Sequence, residues 1–372
     1  MPLFSSPPSY LGVDLGTSSL KVVELKNERG KPRLVTYGFT NETDLLIRSD
    51  SQGDVEKTAI LLRQVCDKAR VTTSKAITAL PTFSVFSSTI NLPAMSKKDL
   101  EGAVKWEARK VIPLPLDDMI LDWKIIDEFQ EESALKLAGP AEAKKNIKVF
   151  LTGAPKRLVE KYTDIFKIAG LNLLSLEIEA FALSRSLVGA SQATVMLVNM
   201  GAVTTNISVI VKGMPYLNRS IDVGGSTVTR AISNSLNISM ERAEQFKHDI
   251  GIISVRQGGP EEILKTIEAT IAPVVNEIKY TLNLYHNQRL REIELEKKAG
   301  EQAPEVVEKV ILSGGMALLP YLPEYLSKIL DTRVYIGDPW SRVIYPEELK
   351  PVLDEIGPKF AAAVGLAMRE IE

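Results

Sequence analysis

The sequence predicts an α/β fold of two similar lobes, with a small α+β subdomain inserted into the first. Three observations carry this reading. An apolar strand, a turn of small residues and a second apolar strand open the chain at "YLGVDLGTSSLKVVELK" (10–26), and the pattern returns at "ATVMLVNMGAVTTNISVIVKG" (193–213). Laying Asp14-Leu15-Gly16-Thr17 on Asn199-Met200-Gly201-Ala202 gives a spacing of about 185 residues, the mark of an internal duplication. The chain has 372 residues, too many for one small core.

The elements follow in order. Residues 1–9 read as a disordered lead. The first hairpin runs from Leu11 to Asp14 and from Leu20 to Leu25, and a third strand covers Pro32 to Phe39. Val55, Ala59, Leu62, Val65, Cys66 and Ala69 fall at helical spacing, which predicts a helix from Asp54 to Ala69. "KAITALP" and "VFSSTINLP" are strands bounded by prolines. Ser96 caps the next helix, with Asp99 at the reciprocal position and Leu100, Ala103, Val104 and Val111 on one face. That helix stops at "IPLPLDD", and "MILDWKII" is a strand. Residues 130–146 are polar and read as a mobile loop. "IKVFLTGAP" returns as a strand, and Pro155 opens a helix that ends at Ala169-Gly170.

Residues 76–170 are thus the expected insertion. The first-lobe core is expected at 10–75, completed by 171–190 and 350–372. The second-lobe core is expected at 191–225, completed by 306–349, with a further subdomain over 226–305. Within these, "LNLLSLEIE" is a strand leading into the helix "AFALSRSLV". Ser226 to about Ala299 is helical, and "RLREIELEKKAGEQAPE" is a charged, solvated stretch. "VEKVILSGGMALLPYLPEYLSKIL" reads as strand, Gly-Gly turn and helix, and the small-residue helix "PKFAAAVGLAMRE" closes the chain.

Composition excludes several function classes. With 45 Lys and Arg against 47 Asp and Glu, nothing favours nucleic acid or an anionic membrane surface. Cys66 is the only cysteine, so no intrachain disulfide forms and an intracellular setting fits. One Cys and two His do not build a structural zinc site. No apolar run is long enough to span a bilayer, and neither terminus reads as a signal peptide or basic amphipathic anchor. Membrane contact is therefore expected only through partners.

The turn residues carry the candidate chemistry. Small side chains at Gly16, Thr17, Ser18 and Ser19 leave backbone N–H groups uncovered, so several can converge on one anion, and the hydroxyls add donors. Asp14 at the mouth is suited to hold a hydrated Mg²⁺ through water. One such hairpin is no more than a turn that tolerates glycine; two, one per lobe, are placed to grip a polyphosphate in a cleft between them. Lys21 joins the first set, and Gly201, Ala202, Thr204, Gly224 and Gly225 form the second. Gly314 and Gly315 let backbone pass close to a flat ring, with Met316 starting a helix. Glu244 and Lys247, at i and i+3 of one helix face, are placed to bind ribose hydroxyls and lie along a purine; a surface ion pair is the plainer alternative.

In this order the motifs resemble the actin-like (ribonuclease H-like) bilobal ATPase fold that actin shares with chaperone and sugar-kinase ATPases. "GVDLGTSS" and "VNMGAVTT" are similar to its two phosphate motifs, and "LSGGMALLP" to its adenosine motif. "IEAFALSRS" and "FAAAVGLAM" resemble the two helices that cross at the hinge, where Ala182, Ser186, Ala362, Ala363 and Gly365 permit a close approach. Within that superfamily the chain is more similar to the PilM family of type IV pilus assembly proteins, relatives of the cell-division protein FtsA. "INLPAMSKKDLEGAVKWEARKVIPLPLDDMILDW", "GGSTVTRAISNSLNISMERAEQFKHDIG" and "DPWSRV" carry that likeness.

The resemblance implies ATP with Mg²⁺ in the central cleft and a cytoplasmic location at the inner membrane. It also implies that the N-terminal cytoplasmic peptide of PilN docks between the insertion and the first lobe, with other platform proteins and the pilus motor ATPases as further partners. One departure matters. The superfamily has Asp where this chain has Asn199, and a neutral amide cannot act as a base. ATP binding with absent or very slow hydrolysis is the expectation, with Glu179 of the first hinge helix as a partial substitute. A small-molecule kinase of the same fold and an FtsA-like filament former are the alternative readings.

Overall fold

The computed structural model describes residues 7–40, 51–93, 95–126, 146–252, 261–295 and 306–372. The loop expected over 130–146 lies outside these but for its last residue, as do residues 1–6 of the lead and residues 296–305 of the charged stretch.

The first lobe is built on one sheet. Its strands are β1 (Ser9–Leu15), β2 (Leu20–Glu28), β3 (Lys31–Thr40), β4 (Lys75–Leu80) and β8 (Asn172–Ile178), in the order β3-β2-β1-β4-β8. Pairing is antiparallel among β3, β2 and β1, then parallel from β1 to β4 and β8. The lead is shorter than expected: Ser9 already pairs in β1, and the Pro8 carbonyl accepts from Asn27 N–H at 3.0 Å.

The second lobe repeats this plan. Its strands are β9 (Val195–Met200), β10 (Thr205–Val211), β11 (Met214–Ile221), β12 (Lys309–Ser313) and β13 (Arg333–Ile336), in the order β11-β10-β9-β12-β13. Three antiparallel strands are again followed by two parallel ones. Asp14 stands opposite Lys21 in the first hairpin, and Asn199 stands opposite Asn206 in the second. The duplication read from the sequence is thus a duplication of sheet order and register.

Helices cover the sheets because each has one apolar face. In the first lobe, α1 (Gln52–Ala69) buries Val55, Ala59, Leu62, Val65 and Cys66, and Ser51 caps it by accepting from Asp54 N–H. In the second, the long α7 (Glu261–Leu295) lays Ile267, Ile271, Val274 and Ile278 against Val198, Ile207 and Val209 of the sheet.

Strands β5 (Phe86–Pro93), β6 (Met119–Ile125) and β7 (Asn146–Pro155) form a separate sheet of order β5-β7-β6. Helix α2 (Lys97–Val111) covers it, burying Leu100, Val104 and Ala108 against Ile90, Ile147, Val149 and Leu151. Its cap is the expected one: Ser96 accepts from Asp99 N–H and donates to the Asp99 carboxylate at 2.6 Å. This separate body is smaller than the 76–170 stretch the sequence assigns to it. Strand β4 sits inside the first-lobe sheet, where Ala76 and Ile77 are wholly buried. Helix α3 (Lys156–Ala169) packs Tyr162, Ile165 and Phe166 into the core that holds Leu62. A strand with both faces buried and a helix with a full apolar stripe need a larger core than three strands offer.

Two helices tie the lobes together. These are α4 (Glu179–Leu187) and α9 (Lys350–Met368), and α9 begins at Lys350, well before the expected "PKFAAAVGLAMRE". They cross closely: a Cβ on Gly365 would overlap the Ala182 carbonyl, and α9 lies as close on β1, where a Cβ on Gly12 would overlap the Ala363 carbonyl. Ser186 Oγ closes the crossing with a 2.8 Å hydrogen bond to the Ala361 carbonyl. The remaining helices are α5 (Gly225–Leu236), α6 (Met240–Ile250) and α8 (Leu322–Leu330).

Candidate functional site

The two β-hairpin turns have the same construction. Gly16 N–H donates to the Ser19 carbonyl at 3.0 Å, and Gly201 N–H donates to the Thr204 carbonyl at 2.9 Å. A Cβ at either glycine would press on that carbonyl, 2.8 Å away at Gly16 and 3.0 Å at Gly201. Glycine is therefore needed at Gly16, and at Gly201 it spares the facing carbonyl a shift. Both turns open into one cleft of about 680 Å³ between the lobes. Asp14, Gly16, Thr17, Ser18, Ser19, Lys21, Glu179, Asn199, Gly201, Ala202, Thr204, Gly225, Glu244, Lys247, Gly314, Gly315 and Met316 all line it.

Gly224 has a different place. It stands behind the second turn, where a Cβ would fall 2.6 Å from the Ala202 carbonyl carbon. The next two N–H groups, of Gly225 and Ser226, donate to the Gly201 and Ala202 carbonyls at 3.0 and 2.8 Å. The start of α5 is thereby locked to the turn.

On the first-lobe wall, Lys21 Nζ lies 3.0 Å from Asp14 Oδ2, with their side chains 12% and 20% exposed. The cross-strand register puts them side by side. Glu179, the first residue of α4, faces them from the hinge. Its two oxygens accept from Asn199 Nδ2 and Asn206 Nδ2, each at 2.6 Å. Both amides are oriented from behind. Ser313 Oγ donates to Asn199 Oδ1 at 3.2 Å, and Ser220 Oγ donates to Asn206 Oδ1 at 2.8 Å. Burial, and then the charge of Asp14, push the Glu179 carboxyl up to about 7, against the pull of the two amides and Lys21.

On the second-lobe wall, Lys247 is buried, with its ammonium 2.9 Å from Thr229 Oγ1 and 2.7 Å from Glu244 Oε2. It also reaches the Gly225 carbonyl at 3.4 Å. Thr229 Oγ1 donates to the same Glu244 carboxylate, and His248 Nε2 lies 3.2 Å from the other oxygen. Burial works against ionisation of Glu244, but the bonds from Lys247 and Thr229 outweigh it and hold the carboxyl below the ordinary glutamate value. The lysine head thus braces α6 onto α5, and Glu244 is the more open of the two. Gly314 has φ +85°, a conformation that favours glycine, and a Cβ there would meet Asn199 Oδ1 at 2.7 Å.

Asn206, Ser220, Ser313, His248 and Lys359 belong to this neighbourhood and are missing from the sequence-based set. The 185-residue offset that maps Asp14 on Asn199 also maps Lys21 on Asn206, and that signal was available. Among the described residues no group of three or more His, Cys, Asp or Glu is arranged to hold a metal ion. Asp14 is a carboxylate lining the cleft beside the first turn, and a single carboxylate suits a cation that keeps most of its water.

The family model of the type IV pilus assembly protein PilM matches residues 12–371. The chain belongs to this family. A chain of a solved structure described as the PilM-PilN type IV pilus biogenesis complex superposes with a TM-score of 0.79 at 24% identity, over 98% of each chain. MreB 5 of Spiroplasma citri bound to AMPPNP shares the fold at a TM-score of 0.53 and 13% identity, over 97% of this chain and 95% of that one. The cell division protein FtsA of Neisseria meningitidis serogroup B is 22% identical over 384 residues, spanning 96% of this chain and 89% of its own length. FtsA of Borreliella burgdorferi is 27% identical, over 75% of this chain and 68% of its own length. The fold is the actin-like one, with two lobes and an insertion in the first. Among the described residues no helix is long and apolar enough to cross a membrane.

Proposed function

We propose that this PilM-family protein is an ATP-binding adaptor of the type IV pilus assembly platform, working in the cytoplasm at the inner membrane. One observation carries the ATP site: two turns of identical construction, one per lobe, open onto the same cleft. A polyphosphate between them would receive uncovered N–H groups and hydroxyls from Thr17, Ser18, Ser19, Ala202 and Thr204. Lys21 would exchange Asp14 for a phosphate oxygen, and Asp14 would hold Mg²⁺ through water. The cation, when bound, offsets the charge of the phosphates. Glu244 faces the ribose end, and Gly314 and Gly315 leave room for the base.

The N-terminal cytoplasmic peptide of PilN is the proposed partner, docked between the inserted subdomain and the first lobe. The likeness to the chain of the PilM-PilN complex supports it. Contacts between the insertion and the second lobe support a response to nucleotide. Asn218 Nδ2 of β11 donates to Ser87 Oγ of β5 at 3.1 Å, and Thr89 Oγ1 of β5 donates to the Tyr216 carbonyl at 3.3 Å. The insertion is thus rooted in one lobe and touches the other, so a change in lobe separation reaches the peptide groove. ATP that prefers the closed form would shift that balance by its differential affinity. Other platform proteins and the motor ATPases would read the outcome.

Calorimetry with ATP and Mg²⁺, and with a synthetic peptide copying the PilN N-terminus, tests this. ATP binding, and a peptide affinity that differs between nucleotide-free and ATP-loaded protein, are expected. Peptide binding in neither state contradicts the adaptor reading.

A further inference from the structure

Glu179 lines the cleft, and each of its oxygens accepts from an amide of the second lobe. Neither amide can turn away at no cost. Asn199 Oδ1 and Asn206 Oδ1 accept from Ser313 and Ser220, and a flip of either amide would set its oxygen against the Glu179 carboxylate. The same arrangement accounts for Asn199. An aspartate there would place a second carboxylate within hydrogen-bonding distance of Glu179, so the amide at 199 and the acid at 179 are a matched pair.

We propose that Asn206, together with Asn199, is a positioning residue that restrains Glu179, keeping bound ATP unhydrolysed while the lobes are joined. This rests on the reading of the cleft as an ATP site. Two donated hydrogen bonds, one to each oxygen, hold the carboxylate turned towards the second lobe. Removal of one amide lets the carboxylate turn out of that orientation towards the cleft. In the step so released, a water oxygen bonds to the γ-phosphorus as the bond to the β–γ bridging oxygen breaks. That electron pair leaves with ADP, the water proton passes to Glu179, and inorganic phosphate is the second product.

The test is single-turnover phosphate release by wild type, Asn206→Leu, Asn206→Ser, and Asn206→Leu combined with Glu179→Gln. ATP affinity and thermal denaturation are measured on each. Asn206→Leu and Asn206→Ser are expected to hydrolyse ATP about tenfold faster or more, with affinity little changed. The added Glu179→Gln should return the rate to that of wild type, a coupling that a merely loosened fold would not produce. Folded, ATP-binding Asn206 variants with no gain overturn the restraint alone, as does a gain that survives Glu179→Gln. Failure of wild type to bind ATP overturns the ATP-site reading and the restraint with it.

Discussion

At the scale of single residues, Glu179 sets a measurable pH dependence. Its carboxyl moves from 4.5 in the unfolded chain to about 7 in the fold, so the folded protein binds the proton more tightly. Between those values the native state carries more protons than the unfolded one, and stability rises as pH falls. The cost of burying the charge is present in full above about pH 7 and is relieved towards about pH 5. Urea denaturation of nucleotide-free protein should show this slope, and Glu179→Gln should remove on the order of 1–3 kcal/mol of it. An unchanged slope in the variant contradicts the assignment. Lys21→Ala should weaken ATP binding by about tenfold in calorimetry, the loss of one charge-assisted contact to phosphate; undiminished affinity would mean that Lys21 stays on Asp14.

Some of these residues were legible and some were not. Asp14, Gly16 and Gly201 were legible through the repeat, because one turn of small residues means little and the same turn in each half points to a shared cleft. Asn206 was not, since its importance lies in pairing with Asn199 across a strand register and in meeting Glu179 from another lobe. Lys247 lines the cleft, but its orientation was not legible. A long lysine stem reaches either way, and here the ammonium turns inward to Thr229.

At the scale of elements, the hinge depends on backbone contact between α4 and α9. Gly365→Ala would drive a methyl group into the Ala182 carbonyl, and no side-chain movement relieves that. A loss of about 3 kcal/mol or more is expected, read as a lower midpoint in thermal denaturation, against a gain of about 0.5–1 kcal/mol for Gly102→Ala in the exposed part of α2, where a Cβ meets nothing. Equal effects at the two positions would contradict the close crossing. The periodicity and caps of α1, α2 and α3 were readable, because they are local chemistry. The limits of the insertion were not. "KAITALP" identifies a strand without saying which sheet takes it, and β4 joins the first lobe through pairings with β1 and β8, the latter far along the chain.

At the scale of the whole molecule, the repeated sheet order places two equivalent turns face to face, and the insertion touches both lobes. If the contacts between β5 and β11 carry the nucleotide response, Asn218→Ala with Thr89→Val should leave ATP and peptide binding intact while abolishing the effect of one on the other. Titrations of PilN peptide with and without ATP measure this coupling. Persistence of the full effect would place the route elsewhere.

The most direct measurement is a crystal structure of the protein with a non-hydrolysable ATP analogue and Mg²⁺. The triphosphate should lie between the Gly16 and Gly201 turns, with Lys21 moved from Asp14 onto phosphate and the ribose beside Glu244. A nucleotide bound outside the cleft, or held by one lobe alone, would contradict the account.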